Sequence, residues 1–185
     1  GEDGGQLPPE ASDYITDIIS KTDIFNGIKM TEDTDEFLTI IGKEVDEAYL
    51  DVVSAQALDI DVSDVKVVYT PLHGSGNKLV RGVLKKIGVK NVVVVKEQEL
   101  PDGNFPTVKS PNPENKEAFD LAIELAEKED ADIIIGTDPD SDRIGVVVKD
   151  TDGNYFVLNG NQTGTLLAEF LMRKQKELGV LPENG

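Results

Sequence analysis

Between residues 65 and 137 the sequence switches repeatedly between two hydrophobic periods, and this alternation limits the possible folds more than any other feature. Val65-Lys66-Val67-Val68-Tyr69-Thr70, Asn91 to Val95 and Ala131 to Thr137 are short apolar runs dominated by β-branched residues. Such runs suit strands buried on both faces. Between them lie two stretches with helical spacing. Asn77 to Ile87 presents Leu79, Val80, Val83, Leu84 and Ile87 on one side and stops at Gly88. Asn112 to Lys128 presents Ala118, Phe119, Ala122, Leu125 and Ala126, with Asn112 as N-cap and Pro113 at the first helical position. Strand-helix alternation predicts parallel strands joined by right-handed crossovers, with helices on both faces. Arg143 to Lys149 and Tyr155 to Leu158 flank Asp152-Gly153, a hairpin signal. The expected fold is therefore α/β: a mixed, mostly parallel sheet in a three-layer αβα arrangement with an antiparallel edge.

The flanks are less regular. Gly1 to Pro9 is Gly/Pro-rich and reads as an extended segment. An amphipathic helix is expected over Glu10 to Ser20, irregular chain over Asp23 to Asp35, a short strand over Phe37 to Ile41, and a helix over Lys43 to Leu58. A last helix, Thr163 to Leu178, shows Leu166, Leu167, Phe170 and Leu171. The chain starts at Gly1 and has no signal-like or membrane-spanning apolar run, so the expectation is a piece of a longer, cytoplasmic protein. Absence of cysteine fits a reducing compartment. With 18 basic against 36 acidic residues, a net charge of −18 disfavours nucleic acid and anionic membranes as partners. An anionic substrate would need a metal or a few placed cations.

Chemistry is expected where loops leave the carboxyl ends of the parallel strands. Three loops do so: Pro71 to Gly76, Lys96 to Pro111, and Asp138 to Asp142. The last reads Asp138-Pro139-Asp140-Ser141-Asp142-Arg143. Alternate residues of an extended chain point the same way, so the three carboxylates can meet around one hard divalent cation, magnesium first. A solvated acidic turn is the bland reading. An EF-hand is rejected, because Arg143 stands where its glycine belongs and Lys149 where its last glutamate belongs. A haloacid-dehalogenase-type nucleophile is weakened by Ile144. In the first loop, Gly74-x-Gly76 followed by Glu97 or Glu99 mimics a dinucleotide-binding turn, but Leu79 replaces the third glycine. The helix start there favours an anion. His73, the single histidine, reads as a loop anchor before it reads as a catalyst. In the second loop, Lys96 or Lys109 could meet an anion.

Taken together, the three loops resemble the second domain of the α-D-phosphohexomutase family, phosphoglucomutase type. Asp138 to Arg143 is similar to that family's D-G-D-x-D-R loop, with Pro139 as a departure. Thr70-Pro71-Leu72-His73-Gly74 and Asp102-Gly103-Asn104-Phe105-Pro106 resemble family loops in the same order. Gly160-Asn161-Gln162-Thr163-Gly164 resembles the opening of the third domain. The resemblance implies tail and linker at 1–41, the metal-loop domain at 42–158, and the first helix of a following domain at 159–185. It implies an isomerase of carbohydrate metabolism that interconverts hexose 1-phosphate and hexose 6-phosphate. A phosphoserine in another domain and a bisphosphate intermediate carry the transfer. By the same resemblance Asp138, Asp140 and Asp142 hold Mg2+, and Arg143 contacts the phosphoserine or a bound phosphate. The family's serine loop is absent, and Ser110 does not match it, so these residues alone are expected to be inactive and to bind magnesium weakly. No residue is assigned to sugar binding. Phosphomannomutase and phosphopentomutase activities stay open. A dinucleotide-binding oxidoreductase domain and a stand-alone acidic binding module are the readings from other classes.

Overall fold

The computed structural model of the chain describes residues 3–31 and 36–182. By internal contacts the chain divides into two units, Gly1–Ile41 and Gly42–Gly185. The first holds helix α1 (Pro9–Lys21), with proline in its first turn and Tyr14, Ile15, Ile18 and Ile19 exposed. Residues 23–27 form a turn in which the Asp23 carboxylate accepts the amides of Phe25 and Asn26. The expected strand at Phe37 to Ile41 is not there. The segment is a turn followed by irregular chain. An apolar run becomes a strand only where a neighbour takes up its backbone hydrogen bonds, and all pairings of the sheet lie within residues 66–158. Of the irregular stretch at Asp23 to Asp35, residues 32–35 lie outside the described residues.

In the second unit, α2 (Lys43–Ser54) is followed by β1 (Lys66–Thr70), α3 (Asn77–Lys86), β2 (Asn91–Val94), α4 (Asp120–Glu129), β3 (Ile133–Thr137), β4 (Ile144–Lys149), β5 (Tyr155–Leu158) and α5 (Gly160–Leu178). The sheet order is β2-β1-β3-β4-β5. β1 pairs in parallel with β2 and β3, and β4 and β5 extend the sheet antiparallel. Alternate residues of β1 and β3 divide between two cores. Val68 and Ile134 pack with Phe119, Ala122 and Ala126 on the α4 side. Val67, Ile133 and Ile135 pack with Val80, Leu84 and Ile87 on the α3 side. This is the expected mixed αβα sandwich.

The α4 side is anchored by Phe119, which is fully buried and stabilises the fold by roughly 2 kcal/mol from its apolar area alone. Gly136 and Gly145 lie opposite each other on β3 and β4. A Cβ would stand 2.6 Å from Phe119 Cε1 at Gly136, and 2.8 Å from Phe119 Cζ at Gly145. The paired glycines form the slot for the ring, directly beneath the loop that begins at Asp138.

Helix boundaries differ from expectation where local hydrogen bonds redirect the backbone. The Asn112 carboxamide accepts the Glu114 amide at 2.9 Å in a local turn and caps no helix. Residues Lys116–Phe119 form a 3₁₀ turn, and α4 begins only at Asp120. α2 ends at Ser54, not Leu58; beyond it the chain tightens into i→i−3 bonds, Gln56 amide to Val53 carbonyl at 3.1 Å and Ala57 amide to Ser54 carbonyl at 3.0 Å. α5 begins at Gly160, not Thr163, because Asn159 and Gln162 form a reciprocal capping box, each side chain bonding the other's amide at 2.9 Å.

Candidate metal centre

The parallel register fixes where the three loops emerge. Tyr69 lies opposite Val94 and Thr70 opposite Gly136, so the chain leaves β1, β2 and β3 at the same edge. The loops bond to one another there. The His73 amide donates to the Gln98 carbonyl at 3.0 Å, and the Asp102 amide to the His73 carbonyl at 3.2 Å. The Ser75 amide donates to the Pro139 carbonyl at 2.8 Å, linking the first loop to the aspartate loop.

Asp138, Asp140 and Asp142 each offer a carboxylate oxygen within 4.8 Å of the others. An extended chain does not bring them together, as the alternation argument supposed; a turn does. The Ser141 amide donates to the Asp138 carbonyl at 3.1 Å, and Ser141 takes a positive φ of 62°. The chain reverses between Asp140 and Asp142 and presents both on the side of Asp138.

The three carboxylates have unequal surroundings. Asp138 is fully buried. Its Oδ1 accepts the Arg143 amide at 3.0 Å and its Oδ2 accepts Arg143 Nε at 2.7 Å. Burial pushes the Asp138 pKa upward, but the backbone bond, the side-chain bond and the charge of Arg143 outweigh it and hold the carboxyl below the usual range. Asp142 is 72% exposed, 3.7 Å from Arg143 Nε. Its pKa is pushed up by the charge of Asp140 first and of Asp138 second. Asp140 is exposed as well. The loop thus carries more negative charge than Arg143 offsets, and its donors are hard oxygens. Both properties fit a divalent cation.

His73 is the anchor the bland reading supposed. It is buried, its Nδ1 lies 3.3 Å from the Leu100 carbonyl, and its Nε2 lies 2.9 Å from Thr107 Oγ1. Phe105 meets the imidazole edge-on at 6.3 Å between ring centroids. Sequence reasoning missed the group behind it. Gln98 is buried, accepts the Thr70 hydroxyl at 2.6 Å and donates to Thr107 Oγ1 at 3.0 Å. No periodicity marks such a residue; its position in a loop too long to be mere connection was the one available signal. Lys96 pairs with Glu99, and Lys109 is exposed.

The dinucleotide reading finds no support in the geometry. Gly74 faces the backbone of Pro139, where a pyrophosphate would have to approach, and Glu99 is bonded to Arg81 at 2.8 Å. No helix of the described residues is long and apolar enough to cross a membrane.

Comparison with known proteins agrees with the geometry. Residues 47–153 match the family described as Phosphoglucomutase/phosphomannomutase, alpha/beta/alpha domain II. The chain belongs to the phosphoglucomutase/phosphomannomutase family. It is 39% identical to the phosphoglucomutase of Staphylococcus epidermidis over 181 residues, covering 96% of this chain and 33% of that protein. The phosphoglucomutase of Staphylococcus saprophyticus is 40% identical over 171 residues, covering 90% of this chain and 31% of that protein. The chain thus spans about a third of the length of the curated relatives it matches. A crystal structure of a phosphoglucomutase/phosphomannomutase family protein from Burkholderia thailandensis superposes with a TM-score of 0.57 at 27% identity, over 71% of this chain and 26% of that one. Among family members, the present chain supplies a domain II whose acidic loop has the donors a metal site needs.

Proposed function

We propose that this family member is the metal-loop portion of a phosphoglucomutase and that Asp138, Asp140 and Asp142 hold one Mg2+ beside the transferring phosphate. The observation that carries the reading is the meeting of three carboxylates, two exposed and one buried, at the carboxyl edge of the sheet. The hard oxygen donors favour magnesium over softer metals. The ion would supply charge neutralisation for the phosphoryl oxygens. Asp138, locked by Arg143, sets the position of the site; Asp140 and Asp142 close it from the solvent side. Arg143 is 48% exposed and turns a planar, fixed charge toward the same opening, suited to a phosphate.

The relatives named above are phosphoglucomutases, which favours a glucose phosphate as substrate of the parent over mannose or pentose phosphates. The proposed domains are 1–41, 42–158 and 159–185. The division of the chain after Ile41 supports the first boundary, and the lack of any buried residue in α5 supports the second. A chain free of cysteine is consistent with a cytoplasmic protein.

The test is Asp140→Asn in the full-length parent. Phosphoglucomutase turnover is expected to fall at least a hundredfold while far-UV circular dichroism is unchanged. Near-normal turnover refutes the assignment; lost secondary structure makes the loop structural instead.

A further inference from the structure

Two of the three aspartates are placed by contacts of their own side chains or their neighbour's. Asp138 is bonded twice by Arg143, and Asp142 lies 3.7 Å from the same guanidinium. Among the described residues no hydrogen bond or ion pair holds the Asp140 carboxylate, so its position is set by its backbone. That backbone is gripped from the first loop. The Pro139 carbonyl, which shares a peptide plane with the Asp140 amide, receives two bonds from Ser75: the amide at 2.8 Å and the hydroxyl at 3.1 Å.

The residues on either side of Ser75 make this approach possible. A Cβ at Gly74 would stand 2.4 Å from Pro139 Cα and 2.6 Å from its carbonyl oxygen. A Cβ at Gly76 would stand 2.4 Å from Ser141 Oγ. Gly74-Ser75-Gly76 therefore lies in van der Waals contact along Pro139-Asp140-Ser141. The N-cap of α3 is Gly76, which has no side chain, so Ser75 stands one residue before the capping position, and its hydroxyl donates to a carbonyl 64 residues away.

The geometry points to Ser75 as a positioning residue for the cation site: its two donors fix the Pro139–Asp140 peptide and aim Asp140 at Asp138 and Asp142. The glycine-flanked loop acts as a mould for the metal loop and is not a cradle for an anion. This rests on the cation-site reading above, and the experiment separates the two.

The 185-residue chain, its Ser75→Ala, Ser75→Thr and Asp140→Asn variants, and the Ser75→Ala/Asp140→Asn double variant are titrated with Mn2+ by electron paramagnetic resonance. Thermal midpoints are measured alongside. Ser75→Ala should weaken Mn2+ binding about three- to tenfold, the worth of one hydrogen bond, with an unchanged midpoint. Ser75→Thr should restore it. In the Asp140→Asn background, Ser75→Ala should have no further effect, because the two act through one group. If Asp140→Asn takes up Mn2+ as tightly as the unaltered chain, the cation site itself is refuted and the positioning role with it. If the unaltered chain binds and Ser75→Ala binds as tightly, the positioning role alone is overturned. An equal loss in both backgrounds with a lowered midpoint also overturns it, since it marks Ser75 as a structural residue.

Discussion

The floor and the rim of this sheet edge are both polar and behave in opposite ways. The floor consists of Thr70, His73, Gln98, Thr107 and Asp138. Four of these are buried and Thr107 is partly so, and the polar groups of all five bond to protein partners. Among the described residues no buried side-chain nitrogen or oxygen lacks a partner. The rim consists of Asp140 and Asp142, exposed and mutually repelling. A ligand arriving at Thr70, His73, Gln98 or Thr107 would have to break bonds already made; a cation arriving among the three aspartates relieves a repulsion, and each Asp138 oxygen keeps a lone pair beside its bond from Arg143. The lone histidine, which draws the eye in the sequence, belongs to the floor. The readiness of a group to react follows from what its neighbours leave unsatisfied, and residue type is a poor guide to it.

This contrast can be broken by substitution. The largest effect is expected from Asp138→Ala, which strips Arg143 of its buried acceptor. Urea unfolding should show a loss of about 3 kcal/mol, reduced from the fully buried case by the exposure of Arg143. Gln98→Leu should lose about 2 kcal/mol, because the Thr70 hydroxyl is left in the core without its acceptor. At the rim, Asp140→Asn should change stability by no more than about 0.5 kcal/mol in the absence of metal. Equal losses at Asp138 and Asp140 would erase the distinction.

The smallest effect concerns pH, and its sign differs between the two regions. The Asp138 pKa is lowered, so its contribution to stability is present above the ordinary value of 3.8 and is lost as pH falls through the lowered value. The Asp142 pKa is raised, so its ionisation works against folding, and stability declines as pH rises from 3.8 through the raised value. Asp142→Asn should therefore slightly raise the metal-free thermal midpoint at neutral pH. The gain should vanish below 3.8. A midpoint that falls at neutral pH would show that the contact of Asp142 with Arg143 outweighs its repulsion by Asp140 and Asp138.

The sheet was legible in the sequence because its determinants are local. Runs such as Val92-Val93-Val94 and Ile133-Ile134-Ile135 carry their preference within a few residues, and Gly153, at φ 88°, turns the hairpin the sequence announced. The start of α4 was not legible. Asn112 has the chemistry of a cap, yet it caps only a local turn, Pro113 is pressed against Gly145, and a 3₁₀ turn over Lys116–Phe119 precedes the helix. At the site the three aspartates could be read, but the way they converge could not. Alternation suggested a pleat, whereas Ser141 makes a turn. Ser75 and Gln98 were invisible for a different reason: their partners are set by tertiary contacts, and no local pattern encodes them.

The backbone of Ser141 has one more consequence. At φ 62° a β-branched residue would clash with its own peptide, whereas glycine, asparagine, aspartate or serine can occupy that angle. Homologous sequences can be screened on that basis. A valine or isoleucine between the last two aspartates marks a chain in which this turn, and with it the convergence of the three carboxylates, is strained, however well the aspartates themselves align.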